Sequence, residues 1–144
     1  MMLVPTYVAP SRIEGVGIFS EVPIPAGSVI WRFDPMFDRL ITEGQVEDLS
    51  EALRTFVDRY GYPHMTQPGL IVLVGDNGRF MNHSPQPNTV FTDPDFGYAK
   101  VDIEAGCELV CDYAEFDPAF QMLPGRQFVL ADSLSRAAEA AAGA

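Results

Sequence analysis

A mostly β domain with short helices is the fold class that the sequence predicts, and two observations carry that expectation. Twelve glycines and twelve prolines in 144 residues exceed ordinary usage and cut the chain into short segments joined by tight turns. Between those breaks the apolar runs are brief and rich in β-branched and aromatic residues, and a helical period is clearly sustained in one stretch.

The first third alternates extended runs with turns: TYVAP, then SRIEGVGIFS, then EVPIPAGSVIWRF. Pro23, Pro25 and Gly27 punctuate the last of these, and SVIWRF has strand character, so two or three short strands are expected. Residues 42–60 change period. Thr42 and Gln45 stand at capping-box spacing. Leu49, Leu53, Phe56, Val57 and Tyr60 then fall on one helical face, with Gly61 where a C-terminal cap belongs. One packing helix is expected there. LIVLVGD reads as a buried strand, and Asp76 is placed to cap a short helical turn over 77–81. NTVFTD and FGYAKVDI form a hairpin pattern around a turn rich in Pro and Asp, and EAGCELVCDY gives a turn and another strand. The segment AEFDPAFQMLPGRQFVLAD is aromatic and irregular, and the Ala-rich end reads as a frayed helix or a disordered tail. Neither a repeat nor a linker interrupts the chain, so residues 1–144 are expected to be a single domain.

Twenty acidic residues against nine basic ones give a net charge of −11. A nucleic-acid binder carries a basic patch or stripe, so direct binding of nucleic acid is not expected. The acidity serves solubility or draws a basic partner. Cys107 and Cys111 lie four apart in an expected strand, a span of roughly 13 Å. A disulfide needs Cα atoms within about 7 Å, and two thiols are too few for a zinc site. Two reduced thiols suit a cytoplasmic protein. The first ten residues have no basic start, and the longest apolar run, Leu70 to Val74, is too short to cross a membrane. Neither a leader nor a membrane segment is expected.

Three motifs are ambiguous when taken singly. Gly15-Val16-Gly17 suits any tight turn, although two glycines let a backbone approach a ligand closely. It lacks the third glycine and the following helix of a dinucleotide fingerprint. RFMNHSPQPN reads as a polar loop whose Asn and His bond their own backbone. One His and one Asn are too few for a metal, and Ser84 beside His83 makes no nucleophile–base pair. ELVCDY is edge decoration by itself.

Their order changes the reading. A GxG turn, then RF-x-NHS-x-x-PN, then G-x-EL-x-x-DY resembles the SET-domain protein lysine methyltransferases, from Ser11 to Phe120. The resemblance implies a SET-domain β-clip fold of small curled sheets with a C-terminal pseudoknot, an exception to the rule against threading. It implies a helical insert over 38–68 and a post-SET-like segment and tail over 114–144 without zinc cysteines. It also implies S-adenosyl-L-methionine in a surface pocket and a lysine entering through a channel from the opposite side.

By the same resemblance, Val16, Gly17 and Ile18 lend backbone groups to the methionine end of the cofactor, and Asn82 contacts that end too. The backbone of His83 holds adenine. Phe80 and Met81 are core, and Asn88 ties the loop. Tyr113 is the catalytic tyrosine and also borders the cofactor. Phe116 covers adenine or lines the lysine channel, and Cys111, Tyr98 and Phe120 line the channel. Pro85 stands where many nuclear members have a cysteine, and no cysteine follows Cys111, so no metal is expected. Cys111 is smaller than the Phe or Tyr usual at its position, which implies a roomier pocket that admits di- or trimethylation. The implied partner is a lysine-containing basic protein, and a homodimer is an open alternative for so small a domain. The competing reading is a catalytically idle SET fold that binds a cofactor or peptide.

Overall fold

The computed structural model describes residues 1–117. Phe120 and the Ala-rich tail lie outside the described residues. In chain order the first strands are β1 (Thr6–Pro10), β2 (Val16–Ser20), β3 (Val29–Arg32) and β4 (Arg39–Thr42). Helices α1 (Glu43–Glu47) and α2 (Glu51–Tyr60) follow, then β5 (Tyr62–Pro63) and β6 (Leu70–Leu73). A 3-10 turn at Asn77–Phe80 leads into β7 (Asn82–His83), β8 (Thr89–Val90), β9 (Phe96–Ala99) and β10 (Glu108–Cys111). These strands form three small sheets ordered β1-β2-β10-β7, β3-β9-β8 and β4-β6-β5. The fold is thus the mostly β arrangement of small sheets that the sequence predicts.

The first sheet positions the site. Ser11 donates its N–H to the Gly15 carbonyl at 2.9 Å, and Gly15 takes φ +49°, a left-handed turn that glycine adopts without strain. This closes the β1–β2 hairpin, in register from Thr6 opposite Ser20 to Pro10 opposite Val16. On the other side of β2, Leu109 of β10 pairs with Ile18, and both are 0% exposed. Burying two such side chains contributes about 3–6 kcal/mol, which fixes the register between segments ninety residues apart. β10 then pairs in parallel with β7, Val110 opposite Asn82 and Cys111 opposite His83. The last described strand therefore lies between an N-terminal strand and a mid-chain strand. Ile30, Trp31, Ile24 and Ile103 complete the core beneath it.

The loop between β7 and β8 seals the flank of β10 with side chains. Asn88 Nδ2 donates to the Glu108 carbonyl at 2.8 Å, and the Val110 N–H donates to Asn88 Oδ1 at 2.9 Å. Buried Thr89 donates its hydroxyl to the Val110 carbonyl at 2.8 Å. A carboxamide and a hydroxyl thus satisfy the backbone groups that a neighbouring strand would otherwise pair.

Two local expectations hold in detail. The capping box forms, with Gln45 N–H on Thr42 Oγ1 at 3.1 Å and Thr42 N–H on Gln45 Oε1 at 2.9 Å. Asp76 caps its turn by accepting from Gly78 N–H at 2.9 Å.

The single helix expected over 42–60 is instead two. α1 ends at the Asp48 cap, and Ser50 starts α2 by accepting from Leu53 N–H at 3.4 Å. Ser prefers capping to a helix interior because its hydroxyl competes for backbone groups. Leu49 falls in the break. On α2 Val57 is buried, whereas Leu53 is 53% and Phe56 43% exposed, so much of the expected packing face meets solvent. Besides the two helices, residues 38–68 contribute β4 and β5 on either side of β6. In β6 itself Val72 alone is buried. Cys107 and Cys111 are both free thiols, and no helix among the described residues is long and apolar enough to cross a membrane.

Gly61 does follow α2, but with φ −78° and ψ 153° it is extended rather than left-handed. Space is what requires glycine here. A Cβ at this position would lie 2.7 Å from the Val57 carbonyl oxygen and 2.8 Å from Ile71 Cγ2. Gly61→Ala is therefore expected to destabilise the domain by about 1–3 kcal/mol, measured by chemical denaturation.

Candidate active site

The pairing of β10 with β2 and β7 gathers the three sequence motifs. Asn82, on β7, directs its Nδ2 to the Glu14 carbonyl at 3.2 Å, the Val16 carbonyl at 3.1 Å and Glu108 Oε1 at 2.9 Å. The Gly15–Gly17 turn and the NHS motif therefore meet directly. Ser11 donates its hydroxyl to the Glu108 carboxylate, 2.9 Å from one oxygen and 3.0 Å from the other. Gly17 leaves the volume that this carboxylate occupies, because a Cβ there would overlap Glu108 Oε1. Val16 is exposed, while Gly17 and Ile18 are buried.

The end of β10 carries the second half of the site. Asp112 caps a 3-10 turn over Tyr113–Glu115 by accepting from Ala114 N–H at 3.0 Å. This turn aims the Tyr113 phenol inward, where its hydroxyl donates to the Met81 carbonyl at 2.6 Å. The Tyr113 N–H donates to His83 Nδ1 at 3.1 Å. That nitrogen must carry a lone pair to accept, so its 3.7 Å approach to Asp112 Oδ1 is not an ion pair in this state. The expected role of His83 is through its backbone; in the structure its ring anchors the tyrosine segment.

Burial pushes the Tyr113 phenol above its ordinary range, with the neighbouring Cys111 and Glu14 adding to the rise and Arg59 partly offsetting it. Cys111, which is 3% exposed, is raised by burial and then by Glu115 and Asp112, so it stays a thiol. Its Sγ lies 4.0 Å from the Asn82 carbonyl. Phe116 is the hub of an aromatic cluster, with ring centroids 4.7 Å from Tyr62, 5.6 Å from Tyr113 and 6.3 Å from Phe91. The Tyr62 phenol is also raised, by burial first and then by Asp38 and Cys111. The Tyr113 end of the site therefore holds neutral hydroxyls and a neutral thiol.

A family model described as the SET domain matches residues 15–114. The chain belongs to the SET-domain family. Solved structures share the fold. Chaetomium thermophilum Polycomb Repressive Complex 2 bound to GSK126 aligns with a TM-score of 0.61 and 22% identity over 81% of this chain. The same complex in an autoinhibited conformation bound to S-adenosylmethionine gives a TM-score of 0.60 and 21% identity over 80% of this chain. In each case the chain spans 16% of the length of its match. A protein of Plasmodium falciparum described as a candidate histone methyltransferase aligns with a TM-score of 0.55 and 20% identity, covering 78% of this chain and 95% of that one. A search of curated proteins found no match.

Within this SET domain the structure brings together Val16, Gly17, Ile18 and Asn82 at one end of β10, and His83, Cys111, Tyr113 and Phe116 at the other. Tyr98 is the third residue of its strand. It sits on β9, the central strand of the second sheet, opposite Val29 and Val90, and its ring contact among the described residues is Phe96 at 6.4 Å. Phe120 lies outside the described residues.

Four residues escaped the sequence reading. Glu108 stood in plain view in the G-x-EL motif without a role. Glu115 accepts from Phe91 N–H at 2.6 Å and so ties the tyrosine segment to β8. Tyr62 and Phe91 reach Phe116 from remote segments, and no local pattern marks them.

Gly17→Ala is expected to displace the Glu108 carboxylate from Ser11 and Asn82. The loss of these charge-assisted hydrogen bonds costs about 1–3 kcal/mol, read by denaturant unfolding, and shifts the Asn82 side-chain amide resonances.

Proposed function

We propose that this SET domain transfers the methyl group of S-adenosyl-L-methionine to the ε-amine of a lysine in a basic protein. The observation that supports this most directly is the fixing of Tyr113. Its hydroxyl is held on the Met81 carbonyl, its backbone is held by His83, and its ring centroid lies 5.6 Å from that of Phe116. The meeting of Asn82 with the Gly15–Gly17 turn supports a place for the cofactor there. The Gly15–Gly17 turn and Asn82 would hold the amino-acid end, and the His83 backbone the adenine. When bound, S-adenosyl-L-methionine supplies an electrophilic methyl on a sulfonium.

Methyl transfer to an amine is an in-line displacement, so alignment is the main resource that the protein can bring. A neutral phenol fixed at 2.6 Å on a backbone carbonyl gives a rigid reference for the incoming amine. Nearby backbone carbonyls can accept weak CH···O contacts from a polarised methyl. The aromatic cluster excludes water and disfavours a charged amine, which must be neutral to attack. No dedicated base is needed. His83 Nδ1, which already accepts from Tyr113, is not the base in this arrangement. The net charge of −11 suits a basic substrate.

The direct test incubates the protein with radiolabelled cofactor and a mixture of basic proteins, beside Tyr113→Phe. Labelled lysine is the expected product, and Tyr113→Phe is expected to lower kcat about 100-fold with little change in cofactor affinity. Cofactor binding without transfer by the native protein would instead mark an idle binding module.

The pH dependence has a definite sign. Because burial holds Tyr113 protonated, the ionisation that matters is that of the substrate lysine, whose reference value is about 10.4. Losing that proton creates the nucleophile. The rate at limiting substrate should therefore rise with pH from about 7 toward 10, with no decline from Tyr113 in that range.

A further inference from the structure

The Asn82 carboxamide is committed to one orientation. Its Nδ2 has two hydrogens and meets three oxygens, the carbonyls of Glu14 and Val16 and Glu108 Oε1. Turning the amide over would set Oδ1 against those same oxygens, a contact between acceptors only. Among the described residues Oδ1 receives no protein donor, and it is not enclosed as a buried unsatisfied atom. Two of the three oxygens are backbone carbonyls that any sequence would place there. The third is a choice of sequence.

Glu108 is itself held in place. Ser11, ninety-seven residues away, donates to its carboxylate, and Ser11 Oγ accepts from Ile13 N–H at 2.9 Å. Gly17 vacates the volume that the carboxylate fills. Ser11, Gly17 and Glu108 thus form a clamp behind Asn82. The negative carboxylate polarises the amide and presents its oxygen as the electron-rich end.

We infer that Glu108 is a positioning residue of the cofactor site, holding Asn82 with its oxygen outward as the acceptor for the ammonium group of the cofactor's amino-acid end. An outward acceptor selects a donor, and of the two charged groups at that end the ammonium donates while the carboxylate does not. This inference rests on the methyltransferase reading given above.

The test compares calorimetric binding of S-adenosylhomocysteine with that of its des-amino analogue, which keeps the nucleoside, thioether and carboxylate. In the native protein the first should bind about tenfold more tightly than the second, the scale of one charged hydrogen bond. In Glu108→Ala that ratio should fall toward one. Glu108→Gln keeps an acceptor for Asn82 and should preserve most of the ratio. Glu108→Met fills the same volume without an acceptor and replaces the alanine variant should that one fail to fold. A ratio unchanged in Glu108→Ala or Glu108→Met, whether both affinities drop together or neither does, would show a purely structural glutamate and overturn the inference. A folded native protein that binds neither ligand would instead overturn the methyltransferase reading itself, and the inference with it.

Discussion

The site depends on one mixed pairing. β10 is four residues long, antiparallel to β2 and parallel to β7. No other element joins the start, the middle and the end of the described chain. Its inward Leu109 packs on Ile18, its first residue reaches Ser11 and Asn82, and its last leads directly into the tyrosine turn. Pairings this distant in sequence must repay a large loop-closure entropy, so the Asn82 cluster cannot form before most of the domain is in place. The apolar Ile18–Leu109 contact provides much of that repayment, while the polar groups on the same strands supply direction.

What could be read from the sequence was the chemistry that closes over a few residues. The Thr42–Gln45 box, the Asp76 cap and the β8–β9 hairpin each satisfy their own backbone groups and need no tertiary partner. The three motifs were legible as a set because their order is itself a constraint of topology. Distant packing was not legible. Tyr62, Phe91 and Phe116 are ordinary aromatics until β5 and β8 deliver them to one place. Tyr98 belonged by residue type to such a cluster, yet its ring lies against Phe96 on its own strand. The α2 face was read correctly as periodic, but periodicity does not say whether a partner surface exists, and here Leu53 and Phe56 remain largely uncovered. Gly61 marked the helix end for a reason of space, which a cap pattern cannot distinguish from one of dihedral angle.

Electrostatically the two ends of β10 differ. At the Asn82 end a carboxylate and two carbonyls converge on a single amide, a concentration of negative charge suited to a cationic group. At the Tyr113 end, burial keeps phenols and thiol neutral, and the shape of the aromatic cluster matters more than charge. Such a division suits a reaction between a charged donor and an acceptor that must shed its charge before it reacts.

The carboxamide of Asn88 has a consequence for how a peptide could approach. It offers β10 one donor and one acceptor at the spacing of a strand, with the Thr89 hydroxyl beside it. Strand edges left open are templates for β-augmentation by extended peptides and for self-association. Along Glu108–Val110 that template is already occupied from within the same molecule. An extended peptide therefore cannot dock by lengthening this sheet at that flank, and a neighbouring copy cannot use it as a seed.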